Sequence, residues 1–359
     1  MKRIIGAKAR PGSKPPPEHT TAAGPAVVRL LEVDSAFAGQ RLDNFLLRHL
    51  QGVPTTHVYR IIRSGEVRIN MRRVRADTRV QAGDAVRLPP VRVSGKKAAG
   101  NPAPAREFPV LLEDDQLIAI DKPAGVAVHG GSGLSFGVIE QLRRARPDSR
   151  FLELVHRLDR ETSGILLVAK KRSALIQLQD QFRERATGKT YLALVPGTWP
   201  ADKKRIDLPL HKYLQADGER RVRVTTAQDP DGMRAITRVK LRSSLPARLA
   251  QGLPAMSLLE VTIETGRTHQ IRVHLASQGY AIVGDDKYGD FELNKRLQKL
   301  GMKRMFLHAW RLQFMHPASG ERLSLQAELP PDLADFASPP DAGCMNCNRQ
   351  ACRNMRFIP

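Results

Sequence analysis

Apolar residues recur along the first hundred positions in two rhythms. In GQRLDNFLLRHLQG, Leu42, Phe45, Leu46 and Leu50 fall at i, i+3, i+4 and i+8. This is one face of a helix, with Gly52 beyond its predicted end. In PTTHVYRIIRSGEV, Val58, Ile61 and Ile62 form a second buried stripe while Arg60 and Arg63 point outward. Thr55 or Thr56 is the expected N-cap of that helix and Gly65 its C-cap. VVRLLEV, VRINMRRV and TRVQAGDAVRLP alternate like strands, the last turning at Ala82-Gly83-Asp84.

From Phe108 onward the pattern predicts strands at 109–113, 116–121, 165–170, 189–195, 221–226, 235–243 and 256–264. Helices fit 135–145, 172–185, 268–278 and 290–300, the second amphipathic through Leu175, Leu178 and Phe182. Strands outnumber helices without regular strand–helix–strand alternation. An α+β fold with a largely antiparallel mixed sheet is therefore expected, preceded by a small α/β domain. Composition divides the chain into a disordered basic arm (1–26), the small domain (27–93), a Gly-, Ala- and Pro-rich linker (94–106), the large domain (107–336) and a tail (337–359).

Charge narrows the partners. The net charge is +22 over 359 residues, and residues 1–100 hold 19 basic against 7 acidic side chains, a balance of +12. Between Arg41 and Arg92 lie 11 basic and 4 acidic residues, a surface suited to following a phosphate backbone. Such a balance points to nucleic acid; no wide-faced basic amphipathic helix suggests a membrane. The longest apolar runs, such as GILLVA (164–169), are strand-sized, and the N-terminus has no secretory pattern, so a cytoplasmic protein is expected. Cys344, Cys347 and Cys352 all fall in the tail, where no histidine completes a metal set, so no metal site is assigned.

Four segments carry candidate chemistry. In LIAIDKPAGVAVHGGSG (117–133) a strand runs into a flexible turn that lacks the glycine spacing of a nucleotide site, and it is either a structural turn or the wall of a cleft. In VHRLDRETSG (155–164), Asp159 stands between Arg157 and Arg160, which favour its ionised form. Read alone, a structural Asp–Arg pair at a turn is the simpler account of it. GKTYLALVPG (188–197) sets Tyr191 in an apolar strand, where a tyrosine is core unless it offers its ring to a base. In LEVTIETGRTHQIRVHLASQGYAIVGDDKYGD (259–290), Arg267, Thr268, His269, Arg272 and His274 crowd a helix start suited to a phosphate or a carboxylate. His269 and His274, five apart, do not share a face as metal ligands would. There is no second carboxylate for glycoside hydrolysis, no serine elbow and no cofactor motif.

Together HRLDRETSG, KTYLALV, ETGRTHQIRVHLASQGYAIVGDDKYG and DKPAGVAVHGG resemble the pseudouridine synthases of the ribosomal large subunit type. RLDNFLL, HVYRIIRSGEVRIN and VQAGDAVRLP are similar to the small S4-like RNA-binding domain that accompanies them. The resemblance spans Val27 to about Leu329. It implies that Asp159 is the catalytic aspartate and that Arg157 fills the gap left when the target uridine flips out. It further implies that Tyr191 positions the flipped base, Arg272 pairs with the Asp159 carboxylate and Ile271 forms pocket wall. The implied reaction isomerises uridine in large-subunit ribosomal RNA without cofactor, in a monomer. The alternative is a non-catalytic RNA-binding protein on the same scaffold.

Overall fold

The computed structural model describes residues 28–50, 53–91, 103–130, 136–215 and 219–337. The expected arm, the tail beyond Ala337 with its three cysteines, most of the linker and Gly52 lie outside these residues. The chain divides into an N-terminal unit through Ala99 and a second unit from Gly100.

The first unit is built on two short helices and a small sheet. β1 (Arg29–Glu32), α1 (Leu42–His49), α2 (Thr55–Arg63), β2 (Arg68–Ile69), β3 (Arg72–Arg73) and β4 (Ala85–Leu88) follow in order, with strand order β1-β4-β2-β3. Leu42, Phe45, Leu46, Leu50, Val58, Ile61 and Ile62 join one buried cluster, as the helical spacing requires. The cap of α2 differs from expectation. Pro54 occupies it, with no side-chain bond, and its carbonyl accepts from the His57 and Val58 amides. Gly65 lies one position past the Ser64 C-cap at φ +75°, where a side chain would be strained.

The second unit is built on a ten-stranded sheet, a separate two-stranded hairpin and flanking helices. Its elements are β5 (Val110–Glu113), β6 (Leu117–Lys122), α3 (Val138–Ala145), β7 (Glu153–Leu154), β8 (Ser163–Ala169), α4 (Arg172–Arg183) and β9 (Gly188–Pro196). There follow β10 (Arg205–Asp207), the hairpin β11 (Leu210–Leu214) and β12 (Arg220–Val224), β13 (Ile236–Leu245), β14 (Met256–Ile263) and α5 (Gln270–Ser277). α6 (Phe291–Lys299), β15 (Leu307–Met315), β16 (Arg322–Gln326) and α7 (Pro331–Ala337) complete it. The sheet runs β10-β13-β14-β9-β15-β8-β6-β5, with β16 on β15 and β7 on β8, while β11 and β12 pair only with each other.

Among the described residues every strand pairing is antiparallel except β15 with β8, where His308 faces Ser163 and Ala309 faces Gly164. That parallel contact brings the start of β8 to the middle of the sheet, with β15 between it and β9. Gly164 is required there: at φ +106°, an added Cβ would stand 2.3 Å from the Ala309 carbonyl oxygen. The periodicity does not single out β7, β10, β11, β15, β16 or α7. They are short or mixed in polarity, so no clear alternation marks them.

Candidate active site

The segment Val155 to Thr162 leaves β7 and enters β8 at the sheet centre, so Asp159 stands four residues before Ser163. The turn is held from beneath by Lys122, which is fully buried at the end of β6. Its ammonium donates to the Pro123, Val126 and Arg160 carbonyls at 2.8, 2.8 and 3.1 Å. Burial pushes that ammonium down to about 7, yet three carbonyl acceptors call for the three N–H donors that only the charged form offers. The Gly125 amide also donates to the Arg160 carbonyl, at 2.9 Å. Ser163 fastens the far end, touching His308 Nδ1 at 2.8 Å and accepting from Arg304.

Asp159 itself is paired from across the sheet. Arg272, on α5, places Nη1 3.6 Å from Asp159 Oδ2, and His269 Nε2 lies 3.9 Å from the same oxygen. The flanking arginines do not pair with it, contrary to the local reading of the turn. Arg160 bonds Glu161 at 2.7 Å and Arg157 is exposed on the cavity wall, because neighbours in a tight turn point away from one another.

Arg272 is mainly committed elsewhere. Its Nε and Nη2 donate to Asp285 at 2.7 Å each, in a fork that matches the carboxylate. Nη2 also reaches Asp286 at 3.2 Å, and the guanidinium lies 5.1 Å over the Tyr288 ring. The expected pairing of Arg272 with Asp159 is thus a charge contact made by an arginine that Asp285 holds in place. Burial opposes ionisation of Asp285, but Arg272 keeps its carboxyl below the usual range. Tyr288 also orients His269. Its hydroxyl takes the Val222 amide at 3.1 Å and touches His269 Nδ1 at 2.8 Å, so donation to Nδ1 leaves the imidazole proton on Nε2, toward Asp159.

Tyr191, on β9, opposes Ala309 on one side and Val261 on the other. Burial first, then the charge of Asp159, pushes its hydroxyl above the usual phenol range. Tyr191, Asp159, Arg157, Ile271 and Arg272 all line one cavity of about 580 Å³. A second cavity of about 470 Å³ shares Arg157, Asp159, His269 and Arg272 and reaches His129, so Asp159 stands on the wall between the two. Of the turn after β6, His129 is therefore cleft wall, while 131–135 lie outside the described residues. His274 faces away: it is fully buried, with Nε2 2.9 Å from the Leu208 carbonyl and Nδ1 2.8 Å from Thr237.

Sequence reasoning missed Asp285, Lys122 and the orienting role of Tyr288, although all three lie in quoted motifs. Their signal is a buried charge or hydroxyl in a strand end or turn, which acquires meaning only with its partner. His211, Asp229 and Asp231 come close enough to hold a cation. Asp229 is already bonded by Thr225, His211 and the Asp231 amide, which makes the group a stitched turn.

Two neutral histidines make this region acid-sensitive. Burial, then Lys189, pushes His156 down to about 4, and burial does the same to His308. Their folded values lie below the unfolded value near 6.5, so the unfolded chain binds more protons as pH falls between the two. Stability is full above about pH 6.5 and drops toward pH 4, by about 2 kcal/mol for each histidine at pH 4.5. Thermal unfolding from pH 7 to 4.5 should show this fall. The fall should be smaller in His308→Asn, measured relative to that variant's stability at pH 7.

The family model for RNA pseudouridylate synthase matches residues 116–277, and that for the S4 domain matches 40–86. Ribosomal large subunit pseudouridine synthase C of Pasteurella multocida is 49% identical over 311 residues, covering 85% of this chain and 92% of that protein. The chain belongs to the RNA pseudouridylate synthase family. It is accordingly an RNA-modifying isomerase with an S4 domain ahead of its catalytic domain. The protein of the same description from Escherichia coli K12 is 45% identical over 336 residues, 92% of this chain and 98% of that one. Among solved structures, human RNA pseudouridylate synthase domain containing 1 aligns with a TM-score of 0.50 at 25% identity, over 62% of this chain and 84% of that chain. Human RNA pseudouridylate synthase domain containing 4 gives 0.50 at 27%, over 65% and 95%. Both cavities at Asp159 thus belong to an RNA-modifying fold, and no helix among the described residues is long and apolar enough to cross a membrane.

Proposed function

We propose that the protein isomerises uridines of large-subunit ribosomal RNA to pseudouridine, with Asp159 as the catalytic carboxylate. The observation that carries the site assignment is the position of Asp159: one carboxylate on the wall between two cavities, faced by Arg272, His269 and Tyr191. The target RNA follows from relatives whose names specify the large ribosomal subunit.

In this reading the uridine leaves its stack and enters the larger cavity. Flipping costs a few kcal/mol, offset by basic surface and by Arg157 entering the gap. Tyr191 positions the base and Ile271 closes the pocket wall. The bond from carbon 1′ to the ring nitrogen breaks, and the base turns while enclosed. Carbon 1′ then bonds carbon 5, whose proton is lost as the freed nitrogen gains one, so all atoms are retained. A carboxylate placed as Asp159 is can attack the sugar or take a sugar proton. Arg272 and the Nε2 proton of His269 face that carboxylate, and a closed pocket keeps the freed base from escaping.

The N-terminal unit fits a docking role through its exposed Arg60, Arg63, Arg68, Arg72, Arg73 and Arg75. The test is a map of pseudouridines in large-subunit ribosomal RNA from cells with and without the protein. Specific sites should vanish without it and return with the wild-type chain. An unchanged map would reject the assigned substrate.

A further inference from the structure

One part of the Asp159 cavity has a chemistry that the isomerisation does not use. Lys189 and Tyr191 are two residues apart on β9, so their side chains leave the same face of the sheet, about 7 Å apart along the strand. Lys189 lines the larger cavity and is only 8% exposed. Among the described residues its ammonium has no hydrogen bond or ion pair; its one polar-type contact is the face of Phe182, 5.5 Å away. The side chain is thus mostly buried while its ammonium faces the cavity with no acceptor from the chain, which leaves it open to an acceptor from outside.

The surrounding charges indicate which kind of acceptor. Arg185 lines the same cavity, is exposed, and sits at φ +62°, a conformation few non-glycine residues adopt. Arg185 and Arg157 have no ion pair among the described residues, whereas Arg183 is paired with Asp180. The two acids lining the cavity are engaged, Asp159 with Arg272 and Glu264 with Arg238 at 2.5 Å. Burial, and after it the charge of Arg185, lowers the Lys189 ammonium below its usual range, so the two cations act on a common space. Two converging cations exceed what a neutral base oxygen needs and suit an anion.

We propose that Lys189 and Arg185 form a phosphate subsite for the RNA backbone, holding a phosphate attached to the nucleotide whose base lies against Tyr191. This rests on the assignment of the cavity to the flipped uridine. Alternate residues of a strand lie about 7 Å apart, so a nucleotide with its base against Tyr191 has its backbone within reach of Lys189. The subsite grips the backbone on the strand face that presents Tyr191, which makes it a positioning element whatever the base sequence around the target.

The test uses full-length protein and large-subunit ribosomal RNA transcripts that carry no pseudouridine. Lys189→Met should raise KM about tenfold with kcat changed by no more than about twofold. The slope of log binding constant against log salt should become shallower by about 0.7 to 0.9, the release expected for one lost phosphate contact. Lys189→Arg should restore both. Arg185→Asn, which keeps a residue tolerant of the left-handed conformation, should shift KM and slope in the same direction. It carries the test if Lys189→Met fails to fold. Unchanged KM and salt slope in the folded variants overturn the subsite, as does a fall in kcat with the slope intact. Asp159→Asn, run alongside, separates the failures: if it retains activity, the assignment of the cavity falls, while the salt slopes still report on the phosphate contact.

Discussion

Pseudouridine formation should fall by about 10³-fold or more when Asp159 is replaced by asparagine, while RNA binding should be retained. Asparagine has nearly the same shape but neither attacks a sugar carbon nor takes a sugar proton. The fold should tolerate it, because Arg272 keeps its two 2.7 Å bonds to Asp285 and Lys122 still clamps the turn through Arg160. Binding should not weaken, since the change removes a negative charge from a cavity that receives a polyanion. Initial rates on unmodified transcripts and filter binding at matched salt measure the two quantities. Modification at the wild-type rate in Asp159→Asn sinks the assignment of the catalytic carboxylate.

Replacing Arg272 with methionine should destabilise the protein by about 3 to 5 kcal/mol and also abolish activity. The first effect comes from Asp285, whose side chain is 1% exposed and would be left as a buried, unpaired charge. The second comes from losing the cation 3.6 Å from Asp159. The double variant Arg272→Met with Asp285→Asn separates them. The neutral amide keeps an oxygen for the Lys287 and Tyr288 amides, which donate to Asp285 at 2.8 and 3.0 Å, without a charge to compensate. It should recover most of the stability in urea unfolding while remaining inactive. Recovery of activity along with stability would mean that Arg272 serves the fold alone.

Much of the architecture was legible because it is written in short-range periodicity. The helix stripe of Val58, Ile61 and Ile62, the amphipathic run from Leu175 to Phe182 and the strand around Tyr191 each depend on which face meets the core, and that pattern repeats within a few residues. The dense motifs likewise mark where the chain leaves a strand for chemistry: after β6, before β8, along β9 and after β14. What misled the local reading was adjacency. Arg157 and Arg160 flank Asp159 in sequence, yet one opens onto the cavity and the other binds Glu161.

By itself, then, the sequence determined most of the helices and strands, the basic N-terminal unit and the motifs whose residues gather at the site. Only the tertiary structure decided who partners whom. Arg272 reaches Asp159 across the sheet and takes its orientation from Asp285, thirteen positions along the chain. Ser163 meets His308 through the parallel pairing of β8 with β15, 145 residues away. Among the described residues Lys189 is left without an acid. Periodicity is a property of neighbouring residues, whereas a charge in a turn has many possible partners until packing removes water and leaves one within reach.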